Sequence, residues 1–162
     1  MVSNIKSVLI ALTKETGEDE VSSVLSYGLS LAHQAGAHAT VEAASLKLAL
    51  TGPVVGDFVS RLVNAENRRL QALTSLAVQR AQADAAASGV TCSTENPQLS
   101  YSDLLASFTA QALVHDLTVV DGEPEAMVPD RALIEVLLNV RVVLHAKQPR
   151  VRVAGADPER VT

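Results

Sequence analysis

The chain has 162 residues, 48% of them hydrophobic, so it is long enough to bury a core and too apolar to be intrinsically disordered. The formal net charge is −5 and no basic run occurs, which argues against binding to the phosphate backbone of nucleic acids. The single cysteine excludes an intrachain disulfide, which suits a reducing compartment.

The N-terminal residues lack the basic and apolar segments of a signal peptide. No uninterrupted apolar run approaches the length of about 20 residues that is needed to cross a bilayer. We therefore expect a cytoplasmic protein that has no membrane partner.

The first part of the chain alternates strand and helix patterns. Residues 5–12 are mostly apolar and partly β-branched, which predicts a buried strand. Thr16 and Asp19 have the spacing of a helix N-terminus, and Gly36 is the residue type favoured at a left-handed C′ position, so these residues bound a predicted helix. Residues 38–46 resume the strand pattern.

Residues 47–58 form an apolar loop that two glycines and a proline interrupt. It either covers a ligand cleft or contacts a second domain, or it packs under the helix that follows. That helix is predicted over residues 59–87 and ends before Gly89. Its three-to-four spacing is formed by Phe58, Leu62, Ala65, Arg69, Leu73, Leu76, Arg80 and Ala83.

The next elements follow the same order. Residues 90–95 predict a third strand, and residues 117–120 predict a fourth. Between them, Ser100 and Asp103 form a capping box that opens a helix reaching about Ala112.

The remaining elements complete an α/β pattern. Pro129 suits the first turn of a short helix over residues 130–138, and residues 140–145 predict a fifth strand. Strict alternation of strands and helices predicts a five-stranded parallel sheet with helices on both faces. We assign this single domain to residues 1–146 and a polar tail to residues 147–162.

Local sequences add a resemblance to a known family. The opening strand, the "HDL" at residues 115–117 and the segments at residues 51–58, 65–69 and 130–135 are similar to the universal stress protein family, especially to the first half of bacterial tandem members. The resemblance covers about residues 5–145. It implies a flavodoxin-like fold and a role in bacterial stress responses.

Many members of that family bind ATP through a Gly-x2-Gly-x9-Gly-Ser/Thr run after the fourth strand. Glycines let backbone N–H groups approach phosphate oxygens, and a helix N-terminus adds positive potential. In this chain Gly122 matches the first glycine, but the later positions hold Glu125, Glu135 and Val136. The loop is also acidic, and each like-charge contact with a triphosphate near 4 Å costs roughly 4 kcal/mol at an effective dielectric constant of about 20.

The ATP-binding members also carry an acid at the end of the first strand, where this chain has Leu12 or Thr13. The resemblance therefore predicts a member without the ATP-binding glycine motif and without a cofactor. The alternative is a divergent site for ATP or another nucleotide at the carboxyl ends of the strands. That cleft would be lined by Thr13, Ser45, Asp121 and Gly122.

Other reactive residues have structural explanations. Cys92 lies in a predicted strand and is interpreted as a small buried hydrophobe. The histidines lack metal-ligand spacing, and His33 and His115 lie near helix C-termini, where an imidazole interacts favourably with the dipole. Capping explains Ser100, Ser102 and Asp103 without a catalytic base. We assign no catalytic or metal-binding residue, and a small-molecule hydrolase is the least supported class.

The fifth strand is the predicted interaction surface. An exposed edge strand invites pairing, and in the universal stress protein family the fifth strand commonly pairs across a dimer. We therefore predict a homodimer whose interface contains Val140, Val142, Val143 and Leu144. The chain has Leu138 to Arg141 where the family usually has a Gly-Arg-Pro turn. The resulting prediction is a non-enzymatic, dimeric module of the universal stress protein type.

Overall fold

A computed structural model describes residues 4–12, 23–52, 56–121 and 142–145. Its central feature is a five-stranded sheet in the order β4-β2-β1-β6-β7, and a two-stranded sheet pairs β3 with β5. The strands are β1 (Ser7–Ala11), β2 (His38–Glu42), β3 (Ser45–Leu46), β4 (Cys92–Glu95), β5 (Gln98–Leu99), β6 (Leu117–Asp121) and β7 (Val142–His145). The helices are α1 (Ser23–Ala35), α2 (Asp57–Ala87) and α3 (Tyr101–Val114).

All strand pairs in the main sheet are parallel, which confirms the predicted α/β class and the five strands. The central strand β1 reads Ser-Val-Leu-Ile-Ala, and its last four residues are buried. Parallel strands are covered on both faces by crossover helices, so a continuous apolar run is the expected sequence for such a strand. The prediction for residues 5–12 rested on this pattern.

The prediction of one strand over residues 38–46 was wrong in its length. The strand stops at Glu42 and resumes as β3 at Ser45. The segment beside this break, which joins β4 to β5, contains Pro97. Proline has no backbone N–H and so cannot donate a hydrogen bond there. Backbone bonds still connect the segments, because Ala43 N donates to Glu95 O at 2.8 Å and Ser45 N donates to Pro97 O at 3.0 Å.

The ends of the helices are set by local sequence, as predicted. Gly36 after α1 has φ +61° and Gly89 after α2 has φ +68°, both in the left-handed region that favours glycine. At the start of α3 the Ser100 hydroxyl accepts a hydrogen bond from Asp103 N, which confirms Ser100 as the N-cap. The Asp103 carboxylate accepts from the same hydroxyl at 2.7 Å.

The two faces of the sheet have different cores. On one face α1 and the end of α2 pack against β1, β2 and β6, and the cluster includes Val8, Ile10, Leu25, Leu29 and Val119. On the other face α3 packs against β1 and β6 through Leu9, Ala11, Leu104, Phe108 and Val120. Helices therefore lie on both faces, as the alternation of elements predicted.

Some predictions fall outside the described residues. These are the N-terminal turn of α1 at Thr16, the short helix at residues 130–138, the domain boundary at residue 146 and the tail, all of which stay predictions. The last strand begins at Val142, so Val140 also lies outside them. Among the helices of the described ranges, none is long and apolar enough to span a membrane.

Candidate functional site

The strand order creates a switch point between β1 and β6. From β1 the chain proceeds to β2 and then β4 on one side, whereas β6 and β7 lie on the other side. In open α/β sheets, ligands bind outside the carboxyl ends of the strands at such a switch. The candidate cleft therefore lies where β1, β2 and β6 end.

The described residues place part of the predicted site at this edge. Asp121 is the last residue of β6, and Ser45 follows β2 by three residues. Since β1 lies between β2 and β6, these two residues flank the end of β1 on opposite sides. Thr13 and Gly122 lie outside the described residues, so the four residues are not shown to come together.

The fit of a nucleotide to this edge is poor in the residues that the structure describes. Leu12, Ala43 and Ala44 directly follow β1 and β2 and offer no polar side chain, and Leu12 packs against the apolar core. Ser45 is 5% exposed, and its hydroxyl has no hydrogen-bond partner within the described ranges. One unused hydroxyl could bond a ligand, but it is not a cradle for a triphosphate.

A polar layer lies between α3 and the strands β2 and β4, beside this edge. Two side chains of α3 and that of its C-cap residue, at four-residue spacing, each bond a strand residue. Ser107 Oγ donates to Glu42 Oε1 at 2.7 Å, and Gln111 Nε2 donates to Glu95 Oε2 at 3.2 Å. His115 Nε2 lies 2.9 Å from Thr40 Oγ1. Residues four apart share a helix face, so one stripe of α3 makes all three contacts.

Glu42 is the most unusual member of this polar layer. Its side chain is 0% exposed, and its Oε2 atom has no hydrogen-bond partner among the described residues. Burial raises the pKa of Glu42 above its ordinary value, the bond from Ser107 opposes this, and the adjacent Glu95 carboxylate raises it further. The structure thus stabilises the neutral form of a carboxyl group inside the fold.

The histidine of the layer has a defined tautomer. His115 Nδ1 lies 2.6 Å from the Gln111 carbonyl oxygen, which can only accept a hydrogen bond. Nδ1 therefore carries a proton, and in the neutral ring Nε2 accepts from the Thr40 hydroxyl. His115 is the C-cap residue of α3, in agreement with the predicted role of an imidazole at a helix C-terminus.

Sequence reasoning missed this layer. The interval between Ser107, Gln111 and His115 is visible as a polar stripe on a predicted helix, and Glu42 is a charged residue within a predicted strand. Neither signal indicates which strand a helix covers. These contacts can be seen only in the tertiary structure, because the bonded partners are separated by 65 positions in one pair and by 75 positions in the other.

The other reactive residues have the structural roles that were predicted, or nearly so. Cys92 is half-buried, and burial raises the pKa of its thiol, which disfavours the nucleophilic thiolate. Ser100 and Asp103 are used in the α3 cap, and Ser100 Oγ lies 3.2 Å from Ser102 Oγ. Within the described ranges, no group of three potential metal ligands comes together.

Comparison with known proteins identifies the fold. A crystal structure of a protein from the universal stress protein family of Burkholderia pseudomallei superposes with a TM-score of 0.51 at 18% identity, over 87% of this chain and 96% of that one. The universal stress protein UspA from Lactobacillus plantarum gives a TM-score of 0.54 at 14% identity, over 86% and 97%. A universal stress protein in complex with cAMP gives 0.52 at 14% identity, over 88% and 97%.

These superpositions show that the chain has the fold of solved universal stress proteins. At the level of sequence, no protein-family model and no curated protein matches the chain. The predicted flavodoxin-like fold is therefore confirmed by structural similarity. The further prediction of a resemblance to the first half of tandem members stays a prediction.

Proposed function

We propose that the chain is a universal stress protein-like module that acts by association in a bacterial stress response and has no enzymatic activity. The fold and its near-complete coverage of the similar structures support this proposal. The proposal includes a homodimer formed through β7. It assigns no cofactor, no nucleic-acid partner and no membrane partner, and it places the protein in the cytoplasm.

The observation that carries the dimer is the position of β7. It is the outermost strand on its side of the described sheet and pairs with β6 over four residues, from Val142 to His145. An outer strand presents unpaired backbone groups that proteins commonly cover. A two-fold pairing of β7 with its copy satisfies those groups in both subunits, and the interface would contain Val142, Val143 and Leu144.

Light scattering coupled to size exclusion tests the association. A mass of at least twice the 17.0 kDa of the chain is expected at roughly 100 µM, a concentration well above a micromolar dissociation constant. A monomer under these conditions would contradict the dimer. A broad activity screen tests the non-enzymatic assignment, and turnover that a single substitution abolishes would contradict it.

A nucleotide-binding module is the second candidate, and one observation favours it. The buried Ser45 hydroxyl has no partner within the described ranges and lies by the switch point, where a ligand could bond it. One similar structure is a complex with cAMP, which is a nucleotide. In this candidate the cleft is lined by Thr13, Ser45, Asp121 and Gly122.

Calorimetric titrations with ATP and Mg²⁺, and separately with cAMP, distinguish the two candidates. Under the first proposal neither ligand binds with a dissociation constant below about 10 µM, which corresponds to nearly 7 kcal/mol. Binding below that value, weakened by Ser45→Ala and unchanged by the control Ser26→Ala on the exposed side of α1, would establish the second candidate.

A further inference from the structure

Helix α2 is much longer than its contact with the core. It runs from Asp57 to Ala87, a length of roughly 46 Å at 1.5 Å per residue, yet the residues it buries are Ala81 and Ala85 near its C-terminus. The rest of the helix is exposed or half-buried. Most of α2 therefore extends beyond the apolar core.

The side of α2 that faces the strands is held by polar contacts. Asn67 bonds the backbone of Leu48 in both directions, since its Oδ1 accepts from Leu48 N at 2.7 Å and its Nδ2 donates to Leu48 O at 2.9 Å. Gln98 Nε2 donates to Asn67 O at 2.8 Å, and Gln82 Nε2 donates to Thr94 Oγ1 at 2.8 Å. These contacts fix the rotation of the helix.

That rotation turns the apolar stripe of α2 outward. The residues at three-to-four spacing from Phe58 to Ala83 lie on the side of the helix opposite Asn67, because each residue turns the helix by 100°. Three of the stripe's large apolar members are exposed, Phe58 at 73%, Leu62 at 54% and Leu76 at 50%, and Leu73 is half-buried. An amphipathic stripe normally faces the core. We name as the outward stripe the positions Phe58, Leu62, Ala65, Arg69, Leu73, Leu76, Arg80 and Ala83.

The outward stripe is complementary to itself in one orientation. If a second copy of α2 lies antiparallel, with the midpoint between residues 70 and 71 of each helix aligned, large residues meet small ones: Phe58 faces Ala83 and Leu76 faces Ala65. Alternation of large and small residues across facing positions is what lets two helices interdigitate. The spacing of the stripe is nearly the same read in either direction, so the match extends along its whole length.

Charge favours the same orientation through Arg80. In the antiparallel alignment Arg80 falls within one residue of the position that faces Leu62, about 28 Å along the axis from its own copy. Arg69 falls within one residue of the position that faces Leu73 and about 4.5 Å along the axis from its own copy, whereas a parallel, in-register pair would place both arginines directly against their own copies. Like charges in direct opposition are destabilising. The charge of Arg69 is also matched within its own helix, because its guanidinium makes two bonds to Glu66, at 2.6 and 2.9 Å.

From this geometry we propose that the outward stripe of α2 is a second self-association surface, at which two copies of the chain pack antiparallel. It is separate from β7 and does not depend on β7 pairing. The stripe spans eight positions over about 37 Å, which is fewer than the roughly 20–30 residues a side of a standard interface. We therefore expect association at micromolar or higher concentration, and an isologous contact with two-fold symmetry.

The first test compares exposed leucines on two helices of the full chain. Leu62→Glu with Leu76→Glu places two charges on each outward stripe, and Leu113→Glu makes the same change at a 68% exposed leucine of α3. By light scattering at roughly 300 µM, the stripe variant falls to about half the mass of the wild type, and the control keeps the wild-type mass. Equal masses for the wild type and the stripe variant overturn the proposal.

The second test reads the orientation directly. Ala65→Cys and Leu76→Cys are prepared separately, mixed and oxidised gently. The antiparallel alignment brings position 65 of one chain opposite position 76 of the other, so the mixture forms a disulfide between them that peptide mass spectrometry detects. Each variant alone does not form it, because two copies of position 65 lie about 17 Å apart along the axis. The half-buried Cys92 is common to all samples.

If the mixture forms disulfide-linked dimers no faster than the single variants do, the proposal is overturned. The disulfide also separates this surface from the dimer proposed at β7. If β7 does not pair, the wild type is a dimer through α2, the link still forms, and the stripe variant is a monomer. If only β7 pairs, the stripe variant keeps the wild-type mass and no link forms.

Discussion

The two faces of the sheet are built by different means. Under α1 and the end of α2 the packing is mainly a cluster of buried apolar side chains, and small residues such as Gly28 and Ala32 bring α1 close to β1. Under α3 the apolar part covers β1 and β6, and a hydrogen-bonded polar layer covers β2 and β4. Apolar packing tolerates many arrangements, whereas a buried carboxyl group tolerates few. The face under α3 therefore specifies the position of its helix more narrowly.

The largest expected effect is on the apolar half of the α3 face. Among the residues that the structure describes, Phe108 is the largest fully buried side chain, at 1% exposure. Phe108→Ala is expected to lower the free energy of unfolding by about 3–5 kcal/mol, through lost burial and the cavity that remains. Urea unfolding measures this, with Leu113→Ala as the control on the same helix because Leu113 is 68% exposed. Equal losses for the two variants would mean that α3 does not pack as described.

Gly28 tests the close approach on the opposite face. A Cβ atom at this position would lie 2.5 Å from Ile10 Cγ1, inside a buried cluster. Gly28→Ala is therefore expected to destabilise the protein by about 1–3 kcal/mol despite the better helix propensity of alanine. Ser26→Ala, at an exposed position of α1, is the control for the propensity effect. A stabilised Gly28→Ala variant in thermal unfolding would contradict the contact.

The polar layer is tested by a pair of α3 variants. Ser107→Ala leaves the buried Glu42 Oε1 without its donor, so the expected cost is about 1–2 kcal/mol, within the range for an unsatisfied buried group. Gln111→Ala removes the bond to Glu95, which is exposed and regains water, so its cost should be smaller. The difference between the urea midpoints of the two variants measures how much burial increases the contribution of a hydrogen bond to stability. The reverse order would refute the burial argument.

Protonation of Glu42 makes this face sensitive to pH. The pKa of Glu42 is raised in the folded state, so the folded state holds the proton more tightly than the unfolded state. The stability it contributes is present below the unfolded pKa and is lost as pH rises through the folded pKa. Glu42→Gln removes this loss, so the variant should gain stability relative to the wild type as pH rises from acidic to neutral values. Thermal unfolding at several pH values measures this. A difference in stability between the variant and the wild type that does not change with pH would contradict it.

Asp116 is expected to affect the pH dependence of stability less than Glu42 does, and in the opposite direction. Its carboxylate accepts from Lys6 N at 2.8 Å, Ser7 N at 3.0 Å and Ser7 Oγ at 3.1 Å, and these bonds lower the pKa of Asp116. The stability it contributes is present above the unfolded pKa and is lost as pH falls through the folded pKa. Asp116→Asn should therefore flatten the acid side of the profile and leave the neutral side parallel to the wild type.

The sequence predicted the features that depend on neighbouring residues. The buried strand β1, the glycine at φ +61° after α1 and the Ser100 cap of α3 each follow from a few consecutive side chains. Three features could not be predicted in this way. The break between β2 and β3 lies beside Pro97 in the segment that joins β4 to β5. The polar layer depends on which strands α3 covers, and the outward stripe depends on contacts that set the rotation of α2.

The candidate site was predictable only in outline. Alternation of elements located a cleft at the carboxyl ends of the strands, and the strand order confirms a switch point there. Ser45 and Asp121 flank the end of β1, but the buried Glu42 beside them was missed. The sequence alone suggests that the Glu42 carboxyl group at the end of β2 is exposed, because acids are almost never fully buried without a partner.

Amide hydrogen exchange at the two outer strands tests the proposed dimer most directly. Both β4 and β7 are outermost strands of the described sheet, and only β7 is proposed to pair with a copy. If two copies pair through β7, the β7 amides that do not bond β6 are protected at high chain concentration and lose protection on dilution, while the β4 amides do not change. Exchange at β7 that is independent of concentration, and as fast as at the outer amides of β4, would contradict it.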